Sequence, residues 1–253
     1  MIIENPSLSL ALSFLGMIVL VGVHMFTPRF LFLQGQAGPW ISASAGVAIA
    51  YVFIDILPLL ASQQAKLMQT PHTGWLRYLE HHAYMVAMAG FVFHYGIALN
   101  RRAMLGRSPE RVGESSDFSR SGFTIVSSLA YSFLIAYLLG EKWDHGSEPG
   151  IIFALAMSLH FVGLNYLSYE DDPVLYRRWL RYELAIATVA GWLLGIFTAV
   201  SDQVFLLAFS FLAGGIIVVA MAVELPRIQP SRIDFLAFLG AALSFSGLLL
   251  VAH

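Results

Sequence analysis

Long apolar runs recur along the whole sequence, and no soluble fold can hide so many of them. Eight runs, near 8–30, 39–61, 79–100, 121–140, 150–169, 182–200, 203–223 and 233–252, are each about as long as the roughly 20 residues a helix needs to cross the hydrocarbon layer. Backbone groups inside lipid find no water, so each run must bond internally as a helix. Charged residues make up 12% of the chain and mean hydropathy is +0.72, against roughly 25% charged in soluble proteins. The prediction is an all-α, polytopic membrane protein: eight transmembrane helices in a single transmembrane domain over 1–253, solvated by the lipid bilayer and with no soluble domain attached. The first run is preceded by Glu4 and no base, and it lacks a clear cleavage site. It reads as a retained helix rather than a signal peptide.

Basic residues collect on the cytoplasmic side of membrane proteins, which fixes an expected orientation. Arg29, Arg101, Arg102, Arg107, Arg111, Arg120, Arg177, Arg178, Arg181, Arg227 and Arg232 all follow odd-numbered helices, whereas Lys66, Arg77 and Lys142 lie on the other side. Both termini are therefore predicted outside the cytoplasm. The outer face then carries Glu4, Asp55, Glu80, Glu141, Asp144, Glu148 and Asp202 with His72, His81, His82 and His145. Such a surface would concentrate cations, although positive-inside bias alone also leaves an acidic outer face. No nucleic-acid partner is expected. The chain has no cysteine, which removes disulfides, thiolate metal sites and thiol redox chemistry.

Two segments share an outline. Ala45 to Pro58, AGVAIAYVFIDILP, and Ala213 to Pro226, AGGIIVVAMAVELP, both run from Ala-Gly through an apolar stretch to Leu-Pro, with Asp55 or Glu224 just before the proline. The predicted orientation sends helix 2 outward and helix 7 inward, the relation found in inverted-topology repeats. The polar stretch Asn100 to Arg120 separates three helices from five. Together these predict a 3+2+3 inverted-repeat bundle: a repeat over 1–100, a cytoplasmic loop over 101–120 able to meet anionic headgroups, central helices over 121–170, and a second repeat over 180–253.

In chain order, His24 falls near the cytoplasmic end of helix 1, before Thr27-Pro28-Arg29, where a histidine most often packs with one hydrogen bond. Helix 2 opens with small residues at 42–46 that let another helix approach. Pro58 is expected to end or bend it, leaving carbonyls near Asp55 that would suit a cation; the alternative is an ordinary interfacial acid. Helix 3 carries His81, His82 and His94. His81 and His94 lie about 20 Å apart along it, the kind of spacing seen in bis-histidine haem proteins. His24 matches His94 in depth, but no transmembrane histidine matches His81. The stretch YEDDPVLYRRWLRYE after helix 5 suits a short helix along the inner headgroups, and Glu183 is expected to complement the dipole at the start of helix 6. Gly191 and Gly195 have the spacing of a packing face. Helix 8, with Gly240 and Gly247, is expected only to pack.

The motifs AGVAIAYVFIDILP and FLAGGIIVVAMAVELP, within this topology, resemble the ZIP family of divalent-metal transporters: eight helices, termini outside, a 3+2+3 inverted repeat, and metal held by helices 4 and 5. The resemblance implies a divalent ion such as zinc or iron as substrate and no other cofactor. In the family, helix 4 offers His-Asn-x-x-Asp/Glu-Gly and helix 5 His-Glu-x-Pro-His-Glu, because such ions favour imidazole and carboxylate. Here SGFTIVSSLAYSFLIAYLLG has no His, Asp, Asn or Glu, and IIFALAMSLHFVGLNYLSYED keeps His160, with Phe161, Gly163, Leu164 and Asn165 where Glu, Pro, His and Glu would stand. His160 and Asn165 are thus the candidate metal residues. His160 lies near mid-membrane, where an ionisable group needs a partner; Asn165, Tyr166, Tyr131 and Ser132 are in question. It is either functional or a hydrogen-bonded packing residue.

Two functional classes follow. One is a ZIP-like transporter of a divalent cation that rocks its repeats against helices 4 and 5, with Asp55 at the outer mouth, His160 midway and Glu224 at the inner exit. The other kept the fold, lost transport, and serves as a subunit or stabiliser of a membrane complex, as partner or homodimer. A haem-binding protein ranks behind both. No nucleophile-base pair or carboxylate constellation suggests an enzyme.

Overall fold

A computed structural model describes residues 6–34, 37–67, 83–105, 114–142, 147–198, 201–224 and 231–252. Within them the chain forms helices α1 (Pro6–Gln34), α2 (37–67), α3 (Ala83–Leu105), α4 (Glu114–Lys142), α5 (Ser147–Asp171), α6 (Pro173–Phe197), α7 (202–224) and α8 (Arg232–Ala252). All eight are long and apolar enough to cross a bilayer. Large side chains on their outer faces are bare, with Phe197 80% and Val251 89% exposed, an arrangement that lipid solvates and water does not. The chain is an integral, multi-pass membrane protein.

The helices outrun the apolar segments that foretold them. α3 continues to Leu105 and α4 begins at Glu114, so the predicted loop over 101–120 is helical at both ends, and 106–113 lie outside the described residues. The expected headgroup helix is instead the start of α6. Asp172 accepts from the amides of Val174 and Leu175 at 3.1 and 2.9 Å, and Pro173 fills the first helical position, where its missing N–H costs nothing. Asp172 therefore caps α6, and Glu183, exposed ten residues in, does not open it. At the other end of the fold, Gln64 Oε1 of α2 takes the amide of Ala83 at 2.9 Å and satisfies a free donor of α3.

Pro58 does not end α2 either. A π turn, Val52–Ile56, absorbs the proline, and the helix resumes over Leu57–Leu67. The Leu57 amide reaches back to Val52 O, and Pro58 has no N–H, so neither amide that would ordinarily close on the Phe53 carbonyl does so. α7 widens in the same place relative to its own proline, with a π turn at Val219–Glu224 just before Pro226.

The most extensive interfaces join α4 to α6, α2 to α8, α3 to α7 and α1 to α5. Glycines set how closely three of these pairs approach. A Cβ at Gly46 of α2 would lie 2.4 Å from Phe238 O of α8, and one at Gly214 of α7 would lie 1.9 Å from Ala87 O of α3. Gly191 and Gly195 of α6 do the same against Phe133 O and Tyr137 O of α4, at 2.2 and 2.4 Å. The aromatic centre, with Tyr51, Phe153 and Phe209 fully buried, ties α2, α5 and α7 together.

Candidate functional site

A cavity of about 70 Å³ opens among α1, α3, α4, α5, α6 and α7. Since a water needs about 10–15 Å³ of such space, it has room for several. The lining runs from mid-helix, at His94, Tyr131 and Phe161, towards the arginine-rich connections, where His24 precedes Arg29, Ala98 precedes Arg101, Thr124 follows Arg120, and Leu184 follows Arg181. Val219, where the π turn of α7 begins, closes one wall.

The polar lining is built by local chemistry. His24 is fully buried, and its Nδ1 lies 3.0 Å from Asn165 Oδ1. An amide oxygen only accepts, so Nδ1 carries the proton and Nε2 the lone pair. The His24 carbonyl would bond the amide four residues on, but residue 28 is proline; the buried Tyr176 hydroxyl, from the π turn of α6, donates to it instead at 2.7 Å. His94 is fixed the same way, its Nδ1 donating to Gly90 O at 2.8 Å. Its ring packs where Gly215 leaves room, since a Cβ there would lie 2.8 Å from the imidazole. Tyr131 stands edge-on to His94 at 5.2 Å and places its hydroxyl 3.0 Å from His160 Nε2.

The candidate metal residues are thus handled separately. Asn165 lines the cavity and holds His24; His160, fully buried behind it, is held by Tyr131, one of the partners considered from sequence. Asp55 sits in the π turn of α2 beside the buried Tyr51, with which it hydrogen-bonds. Glu224 ends the π turn of α7; its side chain and those of Glu141, Glu148 and Asp202 are not described, and Glu4, Glu80, Asp144, His72, His81, His82 and His145 lie outside the described residues. No group of three His, Asp or Glu residues poised for a metal occurs among the described residues. Sequence reasoning did not bring His24 and His94 into one cavity. Their matching depth was visible, but which faces of α1 and α3 meet was not.

If Tyr131 positions His160, Tyr131→Phe should lower stability by about 1 kcal/mol, the scale of a buried side-chain hydrogen bond between membrane helices. Tyr95→Phe, whose hydroxyl is on the 43% exposed Tyr95 at the lipid surface, should change nothing. Melting midpoints in one detergent decide it, and equal midpoints for the two variants would count against the bond.

No family model, curated protein or solved structure matches the chain.

Proposed function

We propose that the chain is a ZIP-like transporter, a 3+2+3 inverted-repeat bundle that carries a divalent metal ion of the zinc or iron class as its substrate. One observation carries the reading. Exchanging α1 with α6, α2 with α7, α3 with α8 and α4 with α5 turns the α1–α5 interface into α6–α4, and α2–α8 into α7–α3, so that the four most extensive interfaces map onto one another. Under the same exchange Gly46 becomes Gly214, each against a carbonyl of its partner helix, and the π turns before Pro58 and Pro226 fall in register. Irregular helix turns and inverted repeats recur together in transporters. The triplets are not packed as units, however: α1 lies on α5 and α6 rather than along α2, so rocking whole triplets as rigid bodies does not fit this packing.

On this reading Asp55 serves the outer mouth and Glu224 the inner exit, with the histidine-lined cavity between them and both termini lying outside. Proteoliposomes loaded with a fluorescent zinc indicator should show saturable Zn²⁺ or Fe²⁺ uptake above protein-free vesicles. Asp55→Ala or Glu224→Ala should reduce it at least tenfold. Uptake equal to protein-free vesicles would sink the transporter reading. A second reading, a transport-inactive subunit or stabiliser of a membrane complex, draws on the lack of a three-ligand cluster among the described residues. A stoichiometric partner retained through mild-detergent purification, with no uptake, would favour it.

A further inference from the structure

We infer that His24 and His94 form a divalent-metal site within this cavity, with Asn165 as the residue that orients His24. The inference rests on the transporter reading for its role but not for its existence, which is a matter of binding alone.

Each imidazole lines the cavity with its Nδ1 proton spent on an oxygen, from Asn165 on one side and the Gly90 backbone on the other. Both therefore keep the Nε2 lone pair, the form in which histidine binds metals, and a carbonyl partner on the far nitrogen is the usual device that fixes a ligating ring. His24 Nε2 is buried and has no hydrogen-bond partner among the described residues. An unpartnered buried nitrogen costs stability, so its retention needs a reason.

The hydroxyls around the rings point the same way. Ser127, Ser128 and Ser168 each donate to the carbonyl four residues earlier, at 2.8, 2.9 and 2.9 Å, and all three line the cavity. With their protons turned to the helix backbone, these oxygens can only accept. The polar part of an otherwise mostly apolar wall thus offers lone pairs and no carboxylate, which suits a cation bound by two imidazoles and completed by water. Asn165 Nδ2 is a buried donor with no partner among the described residues and would hold one of those waters. Such a site binds by nitrogen ligation rather than net charge, so it should favour Zn²⁺ over Mg²⁺ or Ca²⁺, which prefer oxygen.

The test is direct binding to the full chain in detergent, by titration of ZnCl₂ against a competing fluorescent chelator. Wild-type protein should take up Zn²⁺ saturably and ignore equimolar MgCl₂. His94→Gln and His24→Ala should each weaken binding at least tenfold, and Asn165→Leu about tenfold or more, the effect of losing an orienting partner. The absence of saturable binding to wild type, or unchanged affinity in His94→Gln, overturns the site. Should His24→Ala not purify as a monodisperse species, Co²⁺ absorption of the wild type replaces it: nitrogen-ligated Co²⁺ bands support the site, and the aquo spectrum refutes it. Vesicle uptake separates the two readings. Binding without uptake leaves the site standing and the transporter reading lost, whereas uptake undiminished in His94→Gln does the reverse.

Discussion

Gly214→Val is expected to leave no folded protein, and Gly214→Ala to survive with a sharply lowered melting midpoint. The Cβ of either variant would lie 1.9 Å from Ala87 O and 2.5 Å from the Phe91 amide nitrogen, both main-chain atoms of a helix that cannot swing aside as a side chain would. α7 and α3 must separate, and overpacking of this kind costs roughly 1–3 kcal/mol or more. Association of membrane helices depends on close packing rather than on expelling water, so the lost contacts are not recovered elsewhere. Gly46→Ala should behave like Gly214→Ala, because its Cβ would meet Phe238 O at 2.4 Å. Gly22→Ala, Gly96→Ala and Gly240→Ala serve as controls, having nothing within 4 Å of the added methyl. Midpoints from fluorescence-detected size exclusion after heating would separate the two groups, and a Gly214→Ala midpoint among the controls would contradict the α3–α7 interface.

Trp192→Ala should cost about 3 kcal/mol, near the lower end for truncating a buried aromatic because lipid or detergent, not water, solvates the alternative state. Trp192 is 7% exposed, its indole Nε1 donates to Ser13 Oγ at 2.8 Å, and its ring lies 5.5 Å from that of Phe14. These contacts join α6 to α1, the two helices that would exchange places in an inverted repeat. Trp192→Phe keeps most of the packing and should cost about 1 kcal/mol, the value of the lost hydrogen bond. Ser13→Ala in the Trp192→Phe background should then add little, since the shared bond is already gone. Additive losses would mean that the two side chains are not coupled.

Much of the fold was legible in the chain because lipid imposes a simple rule. An apolar run of sufficient length must be a helix, and each predicted run lies within or overlaps a described helix of the structure. The spacing of Gly191 and Gly195 and the small residues at 42–46 mark packing positions, but not their partners. Helix limits were less visible: Asp172-Pro173 was read as part of a headgroup segment, when an aspartate before a proline is itself a helix start. Pro58 announces a break or a bend, and the structure excludes the break, since a π turn carries the helix through it.

The sequence by itself determined the solvent, the number of apolar spans and the recurrence of the Ala-Gly to Leu-Pro outline, because hydropathy acts segment by segment and needs no knowledge of neighbours. Tertiary structure alone decided that His24, His94 and Asn165 share a cavity while His160 stands behind Tyr131. That outcome depends on the rotation of each helix about its axis. In a chain apolar on every face, no hydrophobic stripe announces this rotation, and close-packed glycines and a few buried hydrogen bonds set it instead.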